Sequence, residues 1–150
     1  MSDNNPKIKA VYARFVDSTE TSFFDLVKGF TSMQVLTYSG SVRMIRKAAQ
    51  IVDELEVIFG REDVIKGTDD WFAYVAHIRD ELRDDVKSDS IMHDKVANQQ
   101  VRALVGRNSK RHEKVYLLKN ATSYRVITGS ANFSELAFSG RQGETLTVLA

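Results

Sequence analysis

Two short runs near the C-terminus combine residue types that could act on a phosphate ester. His112-Glu113-Lys114 supplies an imidazole and a cation two residues apart, and Gly129-Ser130-Ala131-Asn132 supplies a hydroxyl and an amide. An imidazole can attack phosphorus or carry a proton. A cation and neutral hydrogen-bond donors can stabilise negative charge on the non-bridging oxygens. Together the two runs indicate phosphodiester chemistry.

Both runs fall on a stretch whose pattern predicts a β-hairpin. His112–Leu118 and Ser123–Thr128 are rich in β-forming residues, and a polar turn separates them. Alternate residues of a strand share a face, so we expect His112 and Lys114 to point to the same side. Ser130 and Asn132 then follow the end of the neighbouring strand.

The rest of the chain alternates predicted strands and helices. Strands are predicted at Gln34–Tyr38, Leu55–Phe59, Val101–Val105 and Glu144–Leu149, and helices near Phe23–Phe30, Val42–Val52, Trp71–Asp85 and Ile91–Asn98. Ser41 and Thr68 are the expected helix N-caps. The strand–helix–strand order predicts that the first two of these strands are parallel. Together with the antiparallel hairpin, this predicts an α/β fold, a three-layer α/β/α sandwich with a mixed sheet.

Composition excludes several classes of protein. The 150 residues are 43% hydrophobic, which suits one domain, 1–150, with a polar flexible tail over 1–6. No apolar run is long enough for a membrane helix or a secretion signal, so we expect a cytoplasmic protein without a membrane partner. The absence of cysteine excludes disulfides, thiolate zinc sites and cysteine nucleophiles. His93 has no partner at ligand spacing and His77 is interpreted as a packing or surface residue, so neither a metal site nor a cofactor is predicted.

Charge is distributed unevenly along the chain. Residues 62–94 carry four basic and ten acidic side chains, whereas residues 95–150 carry nine basic and three acidic ones. The basic third could face a phosphate backbone, with Arg107, Lys110 and Arg111 as candidate substrate-binding residues just before the first run, near Arg102. The alternative is that the acidic and basic segments offset each other on one surface.

Taken together, the two runs resemble the signature of the phospholipase D superfamily. That signature is His-x-Lys, often with an Asp shortly after, followed by Gly-Ser-x-Asn, and Phe133 and Ser134 continue it here. The resemblance covers residues 112–149 by motif and residues 34–106 by strand–helix order. The chain departs from the signature at Lys119, which stands in the place of the Asp, and in a longer interval before Gly129. Single-motif nucleases of the superfamily tolerate the loss of that Asp.

The resemblance implies a role for each motif residue. His112 would be the nucleophile, Lys114, Asn132 and Ser130 would hold the phosphate, and Glu144 would orient the imidazole. Members of the superfamily use two such motifs around one site, so a chain with one motif is expected to act as a homodimer with the site on its two-fold axis. The implied activity is metal-independent nuclease cleavage through a phosphohistidine intermediate. The implied partner is nucleic acid, with DNA as the first candidate.

Other interpretations stay open at this point. The chain could cleave a lipid or a small diester, or it could be a non-catalytic nucleic-acid-binding module whose site has decayed, as Lys119 suggests. Similar domains occur at the N-terminus of larger helicase-like proteins, and a chain ending on a strand fits such a fragment, although a complete small protein is the alternative. Tyr38 and Ser39 end a strand where α/β proteins often bind ligands.

Overall fold

The computed structural model describes residues 8–14, 20–60, 71–106, 112–138 and 144–149. They form twelve elements, which are β1 Ile8–Arg14, α1 Glu20–Val27, β2 Ser32–Thr37, α2 Val42–Ala49, β3 Glu54–Phe59, α3 Trp71–Lys87, α4 Ser90–Ala97, β4 Val101–Val105, β5 Val115–Lys119, β6 Tyr124–Gly129, α5 Glu135–Phe138 and β7 Glu144–Leu149. The predicted flexible tail, the Thr68 cap, and Arg107, Lys110 and Arg111 lie outside these residues.

The seven described strands form one mixed sheet in the order β1-β7-β6-β5-β2-β3-β4. β2, β3 and β4 are parallel, with Met33 opposite Leu55, whereas β5, β6, β7 and β1 join by antiparallel pairs. The predicted α/β fold with a mixed sheet is therefore confirmed. The parallel pairing of the first two predicted strands and the hairpin of β5 and β6 are confirmed as well.

Helix α2 makes the connection between the first two parallel strands. Ser41 is its N-cap, as predicted, and the Ser41 side chain accepts a hydrogen bond from the Met44 backbone N–H. At the other end, the Lys95 Nζ donates to the carbonyl oxygens of Ala49 and Val52, at 2.5 and 2.9 Å. Both ends of the helix thus have partners for backbone groups that a helix leaves unpaired.

One face of the sheet carries the core. Alternate residues of β2 and β3 are buried, as the two-residue period of a strand requires. Above β5 and β2 lies an aromatic cluster that consists of Phe23, Tyr116, Phe133 and Phe138. Phe23 and Phe138 stack with ring centroids 4.1 Å apart, which joins α1 to α5. Phe133 directly follows Asn132, so the core lies immediately beneath the candidate phosphate-binding turn.

The predicted elements differ from the structure at several points. Strand β1 was not predicted, because its partner β7 lies at the other end of the chain. Helix α3 continues to Lys87, two residues past Asp85, the last residue assigned to the predicted helix. Strand β5 begins at Val115, so His112 and Lys114 precede the strand instead of belonging to it. Of the helices in the described part of the chain, none is long and apolar enough to cross a membrane.

Candidate active site

The two sequence runs meet at one edge of the sheet. His112 and Lys114 precede β5, Ser130 and Asn132 follow β6, and Glu144 is the first residue of β7. Strand β6 is antiparallel to both β5 and β7, so the end of β6 lies beside the start of β5 and the start of β7. The backbone hydrogen bond from Gly129 N to Lys114 O, at 3.4 Å, joins the two runs directly. The structure therefore brings the predicted catalytic residues to a common edge.

Asn132 is held by the end of the neighbouring strand β2. Its Oδ1 accepts a hydrogen bond from the backbone N–H of Ser39 at 3.4 Å. The Thr37 Oγ1 lies 3.4 Å from the same oxygen, but its hydroxyl hydrogen has a closer acceptor in Ser39 O, at 2.5 Å. Because the acceptor end of the amide faces the Ser39 backbone, the donor end, Nδ2, is the end available to a ligand oxygen.

Thr37 joins the Gly-Ser-x-Asn turn to β2. Its side chain is fully buried, and its Oγ1 accepts a hydrogen bond from Phe133 N at 3.0 Å. Phe133 O in turn accepts from Ser41 N at 3.0 Å, and Gly40 forms a parallel bridge with Phe133. A Cβ on Gly40 would lie 2.9 Å from Phe133 O, which explains the need for glycine here. The turn that carries Asn132 is thus fixed at the residue that follows it.

Tyr116 fixes the same turn from below. It is fully buried, and its hydroxyl donates to the carbonyl oxygen of the buried Ala131 at 2.7 Å. Burial raises the pKa of Tyr116 well above its usual value of 10.0, and the negative charge of Glu144 raises this pKa further. Tyr116 therefore remains a hydrogen-bond donor throughout the neutral pH range.

His112 is exposed, and its ring stacks on Tyr38, the residue after β2. The ring centroids are 4.0 Å apart and the planes are inclined by 17°. We predicted that His112 and Lys114 share a strand face, but both lie before β5. The imidazole is thus oriented by its contact with the Tyr38 ring and not by a position within a strand.

Glu144 contacts Ser130, whose Oγ donates a short hydrogen bond to Glu144 Oε2. The sequence predicts that this carboxylate orients His112. That contact is not among the hydrogen bonds of the described residues, and the His112 ring instead stacks on Tyr38. In this structure Glu144 therefore orients the Ser130 hydroxyl. It begins β7 at the predicted position.

Helix α5 flanks the site and is tied to α2. Glu135 binds Arg43 at 3.2 Å and Lys47 at 3.1 Å. Partial burial opposes ionisation of Glu135, but hydrogen bonds from Lys47 and Arg43, and their positive charges, outweigh it and lower its pKa. This ion-paired contact holds the segment that follows Asn132 against the helix that begins just after Gly40.

The predicted site does not include Thr37, and Tyr38 is only a weak candidate in it. A signal for Thr37 existed, since it is a polar residue at a position where strand alternation predicts burial. No comparable signal marked the stacking of Tyr38 on His112, because the two residues are far apart in the chain and the order of the strands brings them together. Among the described residues, no group of three or more His, Asp or Glu side chains could hold a metal ion.

Comparison with known proteins agrees with this architecture. No family model matches the sequence, and no curated protein matches it. The fold is that of phospholipase D family members. One such structure is Nuc from Salmonella typhimurium, a phospholipase D family member, with a TM-score of 0.53 and 17% identity over 97% of this chain and 83% of that one. NucT from Helicobacter pylori is similar, with a TM-score of 0.54 and 13% identity over 97% of this chain and 86% of that one.

Proposed function

We propose that this chain is a phosphodiesterase that cleaves nucleic-acid phosphodiesters with His112 as the nucleophile. The observation that carries the proposal is the meeting of His112, Lys114, Ser130, Asn132 and Glu144 at one edge of a phospholipase D fold. These side chains supply a nucleophile, a cation and neutral donors, the set that displacement at a phosphate diester requires.

The reaction needs two imidazoles. A lone pair of one His112 forms a bond to phosphorus as the P–O bond to the leaving group breaks, and a second, protonated imidazole gives its proton to the leaving oxygen. Water then attacks the phosphohistidine, the second imidazole takes its proton, and the P–N bond breaks. A second His-x-Lys run, His93-Asp94-Lys95, lies within α4, where Lys95 donates to the backbone carbonyls of Ala49 and Val52. The run at the site is therefore His112-Glu113-Lys114 alone, and the second imidazole is His112 of the partner subunit in a two-fold dimer.

Lys114 and Asn132 act on the non-bridging oxygens. Lys114 supplies a fixed positive charge before β5, and Asn132 presents its Nδ2 because Ser39 N occupies its Oδ1. Ser130 adds a hydroxyl that Glu144 orients. Donors held in place before the reaction stabilise the additional charge of the transition state without a cost of reorganisation.

The departure at Lys119 does not argue for a decayed site. Lys119 is the last residue of β5, and the site lies before the first residue of that strand. Lys119 lies five positions after Lys114 in extended chain, which corresponds to about 16 Å. The backbone N–H of Thr31 donates to Lys119 O, so Lys119 belongs to the opposite end of the sheet. The non-catalytic module therefore receives no support from this residue.

The central experiment is a nuclease assay with a chelator present. Cleavage of DNA should continue in the chelator, because the nucleophile is an imidazole. His112→Asn should abolish turnover and leave nucleic-acid affinity within about tenfold, or about 1.4 kcal/mol. His93→Asn is the matched control, because His93 is an exposed histidine on α4. Loss of cleavage in the chelator with recovery in magnesium, or full activity of His112→Asn, would refute the mechanism. Cleavage of a lipid but not of DNA would move the substrate to phospholipid.

Mixing subunits tests the dimer. When wild-type chain is refolded with an excess of His112→Asn chain, nearly every wild-type subunit should pair with a variant subunit. Each such dimer then contains only one His112 imidazole. Activity per wild-type subunit should then fall steeply, whereas a site that is complete in one subunit would keep it constant. The control uses an excess of His93→Asn chain, which should contribute full activity.

Binding to a phosphate backbone should depend on salt. Changing Arg107, Lys110 and Arg111 to Glu should weaken binding to all sequences alike and reduce the salt dependence. The same number of reversals at Arg79, Arg83 and Lys87, on the acidic helix α3, is the control for net charge alone. If both sets of reversals weaken binding equally, Arg107, Lys110 and Arg111 do not contact the phosphate backbone.

A further inference from the structure

The His112 imidazole lies against an aromatic ring. Tyr38 has its ring centroid 4.0 Å from that of His112 and its plane inclined by 17°. An offset or parallel contact of this kind covers one face of the imidazole and leaves its edge free. The lone pair of a neutral imidazole lies in the plane of the ring, so the stack does not block the nitrogen that would attack.

Tyr38 stands on a backbone that is itself well held. The residue before it, Thr37, donates to Ser39 O and accepts from Phe133 N. The residue after it, Ser39, donates its N–H to Asn132. Tyr38 is half-buried between these two anchors. The ring is thus carried by the same segment that orients Asn132, whereas His112 is exposed and precedes its strand.

We propose that Tyr38 is a positioning residue that sets the plane of the His112 imidazole, an inference that rests on the function proposed above. A side chain in front of a strand can rotate about two bonds, and attack on phosphorus requires one orientation of the ring. Packing against a fixed ring removes the alternative orientations. This role was assigned to Glu144 from the sequence, but Glu144 hydrogen-bonds to Ser130. A single segment, Thr37–Ser39, therefore orients both the nucleophile His112 and the phosphate-binding residue Asn132.

The stacking surface and the hydroxyl of Tyr38 can be separated by substitution. Tyr38→Phe keeps the ring, and Tyr38→Leu removes it. Removal of the aromatic ring should lower kcat three- to tenfold, in line with the strength of aromatic pairs, while KM changes less than twofold. Tyr38→Phe should stay within twofold of wild type. Tyr124→Leu is the control, because Tyr124 is 75% exposed at the far end of the β5–β6 hairpin.

A second measurement does not depend on turnover. The ring current of Tyr38 should shift the His112 ring protons upfield in NMR spectra of the wild type and of Tyr38→Phe, and the shift should disappear in Tyr38→Leu. Thermal unfolding confirms that each variant is folded.

The outcomes are distinct. Unchanged kcat in Tyr38→Leu, an effect on KM alone, or a Tyr38→Phe variant as impaired as Tyr38→Leu would each overturn the positioning role and leave the phosphodiesterase proposal standing. A wild-type chain that cleaves no diester would overturn the proposed function and this inference with it.

Discussion

Thr37 offers a direct test of how the fold holds the candidate active site. Its side chain is completely buried at the end of β2, and apart from the aromatic Tyr116 it is the only polar side chain that the structure buries to this degree among the described residues. The Oγ1 accepts from Phe133 N at 3.0 Å and donates to Ser39 O at 2.5 Å. Replacement by Val keeps the shape and removes both hydrogen bonds.

The expected loss of stability follows from the two backbone groups that remain. Phe133 is fully buried, so its N–H would lack a partner, and an unpaired buried group costs about 1–3 kcal/mol. Ser39 O is partly buried and regains part of its hydrogen bonding from water. We therefore expect Thr37→Val to lower the free energy of unfolding by about 2–4 kcal/mol. Thr37→Ser keeps the hydroxyl and should cost about 1 kcal/mol for the missing methyl group.

Urea unfolding measures these differences as shifts in the midpoint at constant slope. Thr31→Val is the matched control, because Thr31 is exposed and its Oγ1 makes a weak contact with Lys119 O at 3.4 Å. That variant should stay within about 0.5 kcal/mol of wild type. A Thr37→Val variant as stable as wild type, or no more affected than Thr31→Val, would refute the role of Thr37 in joining the turn to β2.

Three further predictions concern the same edge of the sheet. Gly40→Ala places a Cβ 2.6 Å from the Phe59 ring and 2.9 Å from Phe133 O, so it should lower stability by about 1–3 kcal/mol in thermal unfolding; a neutral effect would contradict the close approach. Because burial raises the pKa of Tyr116, its contribution to stability is complete below pH 10.0 and lost above it as the unfolded chain ionises, by about 1.4 kcal/mol per pH unit. Unfolding titrations should show this alkaline slope in wild type and lose it in Tyr116→Phe, and equal slopes would argue against burial of the hydroxyl. Lys114→Met should lower kcat and raise KM together in steady-state kinetics, because the proposed contact of the cation with the phosphate is present in both the bound substrate and the transition state; an effect on neither would exclude Lys114 from the site.

Local pattern was sufficient for much of the fold. Strands β4 and β7 have the predicted bounds, because their β-forming runs end at Gly106 and begin after Gly143 in the sequence. Ser41 caps α2 as predicted, since capping involves neighbouring residues. Strand β1 escaped prediction because its stability comes from pairing with β7, more than a hundred residues away. The local sequence pattern reflects secondary-structure propensity and burial, and it does not indicate which distant strand a segment pairs with.

Residue types, their order and the chemistry of which they are capable can be read directly from the chain. His112, Lys114, Ser130 and Asn132 are found from two short motifs, and their meeting follows from the antiparallel hairpin that the motifs flank. The contacts that hold these residues in place are visible only in the folded chain. Strand β5 lies beside β2, which places Tyr38 against His112 and Thr37 beneath Asn132. Those contacts join segments more than seventy residues apart, and they depend on strand order, which local propensity and hydrophobic period do not specify.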